Sequence, residues 1–449
     1  MSTSLEKIAS VSAVRLISEL AGELGVKAYL AGGGVRDCLL GRSVNDLDFA
    51  LSGASVELPR LFAERWGGTF FWLDEERLQA RVVKKVAGET LVHDFAPLRG
   101  TTIEDDLLLR DFTINALAMP VIGAETELID PLQGEPDLRA KLIRSCSDRT
   151  FDDDPLRLLR ALRFVAELRF NMEESTWNAL RRKATLLGGV AAERIRDELF
   201  RILAAPGIGA ILAKLDESGL LAEIFPAESL LFAMSRATGE DRQAMNRHIE
   251  RAVAVERICG ELDRSFPWAE NRLMGYLNSE VESGISVLSL MKLAAFLGNG
   301  ERPGAVILTE RLRLGRKAGR LLNLFCRDAG SVFEVLDHTT SERARFRFFR
   351  DREPAGPGMV IIALANGTIS IGLSSQLLGY FAERYNPEEG CLLLSGQEIM
   401  DLLGIVEGMG VGEAMEQLRE AECCGIVNSK EDAREFLRKN LLTKPAPMR

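Results

Sequence analysis

The chain has 449 residues, 46% hydrophobic and 27% charged, with a formal net charge of −10 from 56 Lys and Arg against 66 Asp and Glu. Such a composition supports about two to four domains with sizeable cores and excludes intrinsic disorder, a collagen-like repeat and a small disulfide scaffold. Taken as a whole, the acidic balance argues against a polyanionic partner such as nucleic acid.

The start, Met1 to Lys7, lacks a basic region followed by an apolar one, and no run of about 18 apolar residues occurs, so the expectation is a cytoplasmic protein without a membrane partner. The cysteines (Cys38, Cys146, Cys259, Cys326, Cys391, Cys423, Cys424) are odd in number and never spaced C-x-x-C, which fits reduced thiols and no zinc site. Apolar residues at Val14, Ile17, Ala21 and Leu24 mark one helical face, ended by Gly25, and Val26 to Ala31 reads as a buried strand. Gly32-Gly33-Gly34 leads into a helix expected over Val35 to Leu40, and alternation over Asn45 to Leu51 predicts another strand. Further strands are expected at Gly68 to Leu73, Ala80 to Val86 and Thr90 to Ala96, which makes the first third α+β. Beyond Asp148 the periodicity turns helical. Leu156, Leu159, Arg160 and Arg163 open one helix, and Glu193 to Leu203 form another. Loops are expected at 299–304 and 353–358, and the last segment carries Gly396, Gly404, Gly408, Gly410 and Gly412 around an acidic helix over Val411 to Glu422.

Four constellations carry chemistry. Asp46 and Asp48, two apart on a strand, project from one face and can share hard cations; Mg²⁺ takes such carboxylates together with substrate phosphates, an arrangement suited to displacement at phosphorus. Gly32-Gly33-Gly34-Val35-Arg36-Asp37 is a strand-to-helix turn whose backbone can approach phosphate closely, with Arg36 adding charge; it matches neither the Walker A nor the dinucleotide fingerprint. Arg110, Asp111, Thr113 and Asn115 place polar groups in the otherwise apolar stretch Leu107 to Pro120; a nucleotide ribose or an internal hydrogen-bond network can satisfy them. In Asp153-Asp154-Pro155-Leu156-Arg157-Leu158-Leu159-Arg160-Ala161-Leu162-Arg163, Asp154 and Arg157 are neighbours on one helical face. A carboxylate beside a guanidinium can accept the amino and ring-nitrogen edges of C and A and reject U and G; an ordinary capping Asp with an i, i+3 ion pair has the same spacing.

Together these motifs resemble those of the class II tRNA nucleotidyltransferase (CCA-adding) and bacterial poly(A) polymerase family, within the polymerase-β-like nucleotidyltransferases. Asp130-Pro131-Leu132-Gln133-Gly134, with Asp137-Leu138 and Ile143-Arg144, resembles the family's central motif, Glu193-Arg194-Ile195 its last one, and Leu394-Ser395-Gly396 to Gly412 its tail. The resemblance implies a mixed-sheet nucleotidyltransferase head (1–149), then an all-α remainder: a neck (150–205) that reads the base and binds RNA, a degenerate HD-like body (206–385) without metal ligands, and a tRNA-binding tail (386–449). It implies Mg²⁺ at Asp46 and Asp48 with Asp94 as a third catalytic carboxylate, and CTP and ATP as substrates. Gly33, Gly34 and Arg36 would meet the triphosphate, Arg110, Asp111 and Asn115 the sugar region, Asp154 and Arg157 the base, and Arg160 and Arg163 the phosphates. The implied reaction is untemplated transfer of CMP or AMP to a tRNA 3′ end, with no obligate protein partner; poly(A) polymerase activity and a catalytically inactive RNA-binding relative are the alternatives.

Three positions depart from the family pattern. Leu109 stands where the sugar motif usually has a first arginine. The segment Met291 to Gly300 lacks the His-Asp of an HD phosphohydrolase, and with only His93, His248 and His338 no histidine-rich metal site can be assembled. The segment Phe95 to Asp106 leaves little room for the flexible loop of relatives that add A, which resembles the CC-adding subtype. The charge is also uneven: residues 301–352 hold 12 basic and 7 acidic groups. Among them Arg316 and Lys317, and Arg343, Arg347 and Arg350 at i, i+4, i+7, are candidates to face an RNA backbone, a solvated face being the other reading. Net charge therefore does not exclude RNA but only its indiscriminate coating, and the expectation is a locally basic body holding a compact RNA such as tRNA.

Overall fold

The computed structural model describes residues 8, 11–53, 56–121, 127–225, 240–298, 302–327, 330–337, 341–385 and 393–441. Met1 to Lys7, the 299–301 part of the expected loop, His338 and Cys391 lie outside them. The chain divides into two compact units: Met1–Ile195 with Glu217–Ile224, and Arg196–Asp216 with Phe225–Arg449.

In the first unit the helix Ser12–Leu24 buries Val14, Ile17, Leu20 and Ala21, and Gly25 closes it with φ 64°, as the glycine after an apolar stripe should. A six-stranded mixed sheet follows: β1 (Ala28–Ala31), β2 (Asp46–Leu51), β3 (Thr69–Asp74), β4 (Gln79–Val86), β5 (Glu89–Pro97) and β6 (Ala118–Pro120). Their spatial order is β3-β4-β5-β2-β1-β6, with β2 and β5 parallel and every other pair antiparallel. Side-chain alternation sends Leu47, Phe49 and Leu51 of β2 into the core formed with the helices Ser12–Leu24 and Glu57–Trp66. Asp46, Asp48 and Ala50 therefore point to the other face, where Ala50 packs with Ile103, Leu107 and Ala116. His93 and Phe95 of β5 join the first core, so Asp94 stands beside Asp48 on the second face. Between β1 and β2 the helix begins at Gly33 and runs to Leu39, two residues earlier than expected.

After the sheet, the helix Arg157–Leu168 starts later than its sequence signal: Leu156 is the N-cap, and Pro155 and Asp154 precede it. The helix Ala192–Ala204 carries Arg194. In the second unit the regular elements of the described residues are helices, apart from the short antiparallel pairing of Glu280–Glu282 with Ile285–Ser286. The residues expected as loop at 302–304 and 356–358 are the first turns of the helices Arg302–Arg311 and Gly356–Ala365. Pro is compatible with a first helical turn, so the glycine and proline signals marked helix starts. The C-terminal helices Gly396–Leu403, Met409–Cys423 and Lys430–Leu441 close over Leu394, Ile399, Ala414, Leu418 and Leu437. No helix among the described residues is long and apolar enough to cross a membrane.

Candidate active site

The turn Gly32–Gly34, the Asp46 and Asp48 carboxylates of β2 and the first turns of the helix Arg157–Leu168 enclose a cavity of about 480 Å³. Gly32 has φ 85°, and a Cβ there would lie 2.5 Å from Nη1 of Arg110, so a glycine is needed for Arg110 to cross the turn. The sequence singled out Gly33 and Gly34, yet Gly32 is the residue whose backbone the site requires; three successive glycines do not reveal which one takes the positive φ.

On the sheet, Asp48 and Asp94 are in register across β2 and β5. Desolvation, then the Asp94 carboxylate, then Asp46 push the Asp48 carboxyl up to about 6, against the opposing pull of Arg110 and Arg81. Asp94 is held by a two-pronged ion pair, with Nε and Nη2 of Arg81 each donating at 2.7 Å. Among the described residues no group of three or more His, Cys, Asp or Glu side chains is placed to hold a metal. Asp46 and Asp48 nevertheless form an oxygen-only donor pair whose mutual repulsion a divalent cation relieves, and they fit one.

Behind the turn, buried Arg36 donates to Oδ1 of Asn115 at 2.6 Å and pairs with Asp37. Nδ2 of Asn115 donates to Oδ1 of Asp111 at 3.0 Å, and Oδ2 of Asp111 accepts from Nε and Nη2 of Arg160 at 2.9 and 2.6 Å. Burial alone would raise the Asp111 carboxyl; Arg160, Asn115 and the Phe112 N–H outweigh it and hold Asp111 below the usual carboxylate range. The partners expected from a ribose are thus supplied from within. This is the internal network that the sequence left as the other reading. The guanidinium groups of Arg36, Arg160 and Arg163 lie 5.1, 5.5 and 4.4 Å from the ring centre of Phe164, and Arg163 pairs with Glu167. Arg110 is fixed by Asp106, its Nε donating at 3.0 Å.

The expected Asp154–Arg157 pairing is not the one formed. Asp154 is extended (φ −149°, ψ 101°) and lies before the helix. Its Oδ1 accepts from the Leu156 N–H at 3.2 Å and its Oδ2 from Nη2 of Arg194 at 2.9 Å. Arg157 donates instead to three carbonyls, Leu109 at 2.9 Å and Arg110 and Thr150 at 3.3 Å each. Leu109, at the departed arginine position, therefore serves through its backbone. Both Asp154 and Arg157 still line the cavity. Arg194, Arg99, Phe164 and Glu167 line it too and were not among the expected site residues. For Phe164 and Glu167 the signal was present, since with Arg157, Arg160 and Arg163 they occupy one face of a helix.

The remaining candidates lie in the second unit. Arg316 and Lys317 are exposed in the first turn of the helix Arg316–Phe325. Arg343, Arg347 and Arg350 share a face of the helix Glu342–Asp351, but that face is engaged by acidic residues of the helix Met409–Cys423: Arg343 and Arg347 pair with Glu420, and Arg350 with Glu416 as well as Asp351. His248 is buried, with Nδ1 2.6 Å from the Phe296 carbonyl oxygen.

Comparison with known proteins gives this geometry a context. Residues 28–144 match the model of the poly A polymerase head domain, and residues 169–229 that of a probable RNA and SrmB-binding site of polymerase A. The chain is 43% identical over 434 residues to the CC-adding tRNA nucleotidyltransferase of Geobacter sulfurreducens, covering 97% of this chain and 96% of that one. It is 32% identical to the A-adding tRNA nucleotidyltransferase of Deinococcus radiodurans, covering 92% and 95%. In fold it is similar to the Thermotoga maritima CCA-adding enzyme solved with tRNA, with a TM-score of 0.63 at 24% identity over 95% of this chain and 94% of that one. The chain belongs to the tRNA nucleotidyltransferase family, built on the poly(A) polymerase head.

Proposed function

We propose that the protein is a tRNA nucleotidyltransferase that adds CMP from CTP to the tRNA 3′ end without a nucleic-acid template, as a CC-adding enzyme. The observation that carries this reading is full-length similarity to a CC-adding enzyme. The brevity of the connection from β5, ending at Pro97, to the helix starting at Ile103 supports it. Asp46 and Asp48 would hold Mg²⁺, which when bound supplies Lewis-acid activation of the RNA 3′ hydroxyl and neutralises the departing pyrophosphate. The Gly32–Gly34 turn and Arg36 receive the triphosphate, with Arg160 and Arg163 beside it. Arg110, Asp111 and Asn115 form a rigid wall against the sugar, and Asp154 and Arg157 present an acceptor and donors to the base edge. Asp94, locked by Arg81, acts in this reading by shaping the field at Asp48. In chain order, head, neck, body and tail at 1–149, 150–205, 206–385 and 386–449 remain the proposed functional division, with the cytoplasm as the site of action.

Incubating tRNA transcripts that end before CCA, or after its first or second C, with each labelled nucleoside triphosphate tests the assignment. Completion to CC and no further is expected. A terminal A would make the protein CCA-adding, long A tracts on any RNA would make it a poly(A) polymerase, and no incorporation would leave an RNA-binding relative.

A further inference from the structure

A second large cavity lies wholly within the helical unit and shares no lining residue with the candidate active site. Its volume of about 810 Å³ falls within the range of small-molecule sites, about 300–1,000 Å³. Its wall is aromatic: the ring of Phe381 is centred 5.6 Å from Phe349, 6.1 Å from Tyr276 and 6.4 Å from Tyr385. Arg272 lies 4.5 Å over Phe381 and donates to the carbonyls of Ala382 and Tyr385, so its charge is fixed beside the rings. Lys317 and Arg320, one helical turn apart and both exposed, also line the cavity. Among the described residues neither is held in an ion pair. The start of the helix Arg316–Phe325 is already capped by the Glu282 carboxylate, which accepts from the Gly315 and Ala318 N–H groups at 3.0 and 3.1 Å, so the attraction for an anion comes from the Lys317 and Arg320 side chains themselves. The two carboxylates in the lining are already engaged: Glu353 accepts from the Tyr385 hydroxyl, and Glu280 from the Gly284 N–H.

A planar ring bearing an anionic group satisfies both halves of this surface. We propose that the cavity is a second nucleoside-phosphate site, taking a base against Phe381 and Tyr276 and its phosphate at Lys317 and Arg320. The nucleotide arrives either free or as an unpaired residue of a bound RNA. The site is independent of the polymerisation reading, because none of its residues belongs to that pocket.

The test uses the full-length chain and two variants. Lys317→Glu/Arg320→Glu reverses the charge at exposed positions, and Gly275→Leu fills the cavity from a helix position where a Cβ meets nothing within 4 Å. Circular dichroism and melting check that both are folded. In equilibrium dialysis with radiolabelled ATP, a free-nucleotide site is expected to cost each variant one ATP per chain relative to the wild type, or to weaken that ATP by about tenfold or more. With a tRNA transcript carrying 4-thiouridine at unpaired positions, an RNA-derived nucleotide is expected to cross-link to the peptides of Tyr276 or Phe381 in the wild type and in neither variant. Wild-type ATP stoichiometry in both variants, together with no variant-sensitive cross-link, overturns the proposal.

Discussion

The carboxylate of Asp154 is held by Arg194, forty residues further along the chain, at 2.9 Å, while Arg157, three residues away, is turned to the carbonyls of Leu109, Arg110 and Thr150. The acceptor and the donors that would read a base are thus positioned by different elements. Removing Asp154 leaves the Arg157 contacts intact, so Asp154→Ala is expected to spare folding. It should lower the preference for CTP over UTP by roughly 5- to 150-fold, the value of about 1–3 kcal/mol for one base-edge pairing. Competition kcat/KM values for the two nucleotides measure this, and an unchanged ratio would remove Asp154 from base recognition. Arg194→Ala should shift the same ratio less, because it loosens Asp154 without deleting it.

Gly32 supports a second prediction. Alanine there must adopt φ 85° and meets the Arg110 guanidinium at 2.5 Å. Gly32→Ala should cost about 1–3 kcal/mol of stability from backbone strain, and should lower incorporation by displacing Arg110. At Gly33 a Cβ meets only Nη2 of Arg36, at 3.6 Å, so Gly33→Ala is the mild control. Urea unfolding of the two variants in parallel gives the comparison.

Asp48 is desolvated and crowded by Asp94 and Asp46, so its charge opposes folding in the absence of a cation, a cost that the proposed metal would offset. Asp48→Asn is expected to abolish incorporation while leaving the melting temperature of the metal-free protein equal to or above that of the wild type. A variant that loses activity only by unfolding would melt lower, and the two measurements together tell these cases apart.

What the sequence made legible was mostly local or periodic. The Gly25 terminator and the placement of Asp46 and Asp48 on one strand face depend on spacings of a few residues, and both hold, while the acidic tail helix starts at Met409, two residues before the expected Val411. What it hid were partners set by tertiary packing. Arg36 meets Asn115 across 79 residues and Asp111 meets Arg160 across 49, so the polar motif Arg110 to Asn115 gave no sign that its partners were internal. Gly356 illustrates the same limit. Read as a breaker, it starts a helix, because its bare Cα lets the chain pass where a Cβ would sit 2.6 Å from the Phe349 ring.

His93 offers a pH dependence. It is 3% exposed among Phe49, Phe62, Trp66 and Phe95, with Lys84 over Trp66 and Asp94 next in the chain. Burial, partly opposed by Asp94, lowers its imidazole to about 4 from the ordinary 6.5. Because the folded state takes up the proton less readily than the unfolded chain, this group's contribution is complete above pH 6.5 and is lost as pH falls toward 4. The loss is about 3 kcal/mol at most. His93→Phe should remove that slope between pH 4 and 6.5 in denaturant titrations, and an unaltered slope would assign the acid sensitivity to other groups.

The basic stripe of the helix Glu342–Asp351 makes the last prediction. Arg343, Arg347 and Arg350 have the spacing of a phosphate-binding ridge, yet Glu420 and Glu416 already neutralise part of it. If RNA phosphates use this ridge, they compete with those carboxylates, and removing the competitor should strengthen binding. Glu416→Ala/Glu420→Ala is therefore expected to raise tRNA affinity several-fold at low salt and to steepen the fall of log K with log salt by about one unit for each additional phosphate contact. Arg343→Ala/Arg347→Ala should do the reverse. Filter binding across a salt series distinguishes this from a purely structural role, in which both double variants would lose stability and leave the salt slope unchanged.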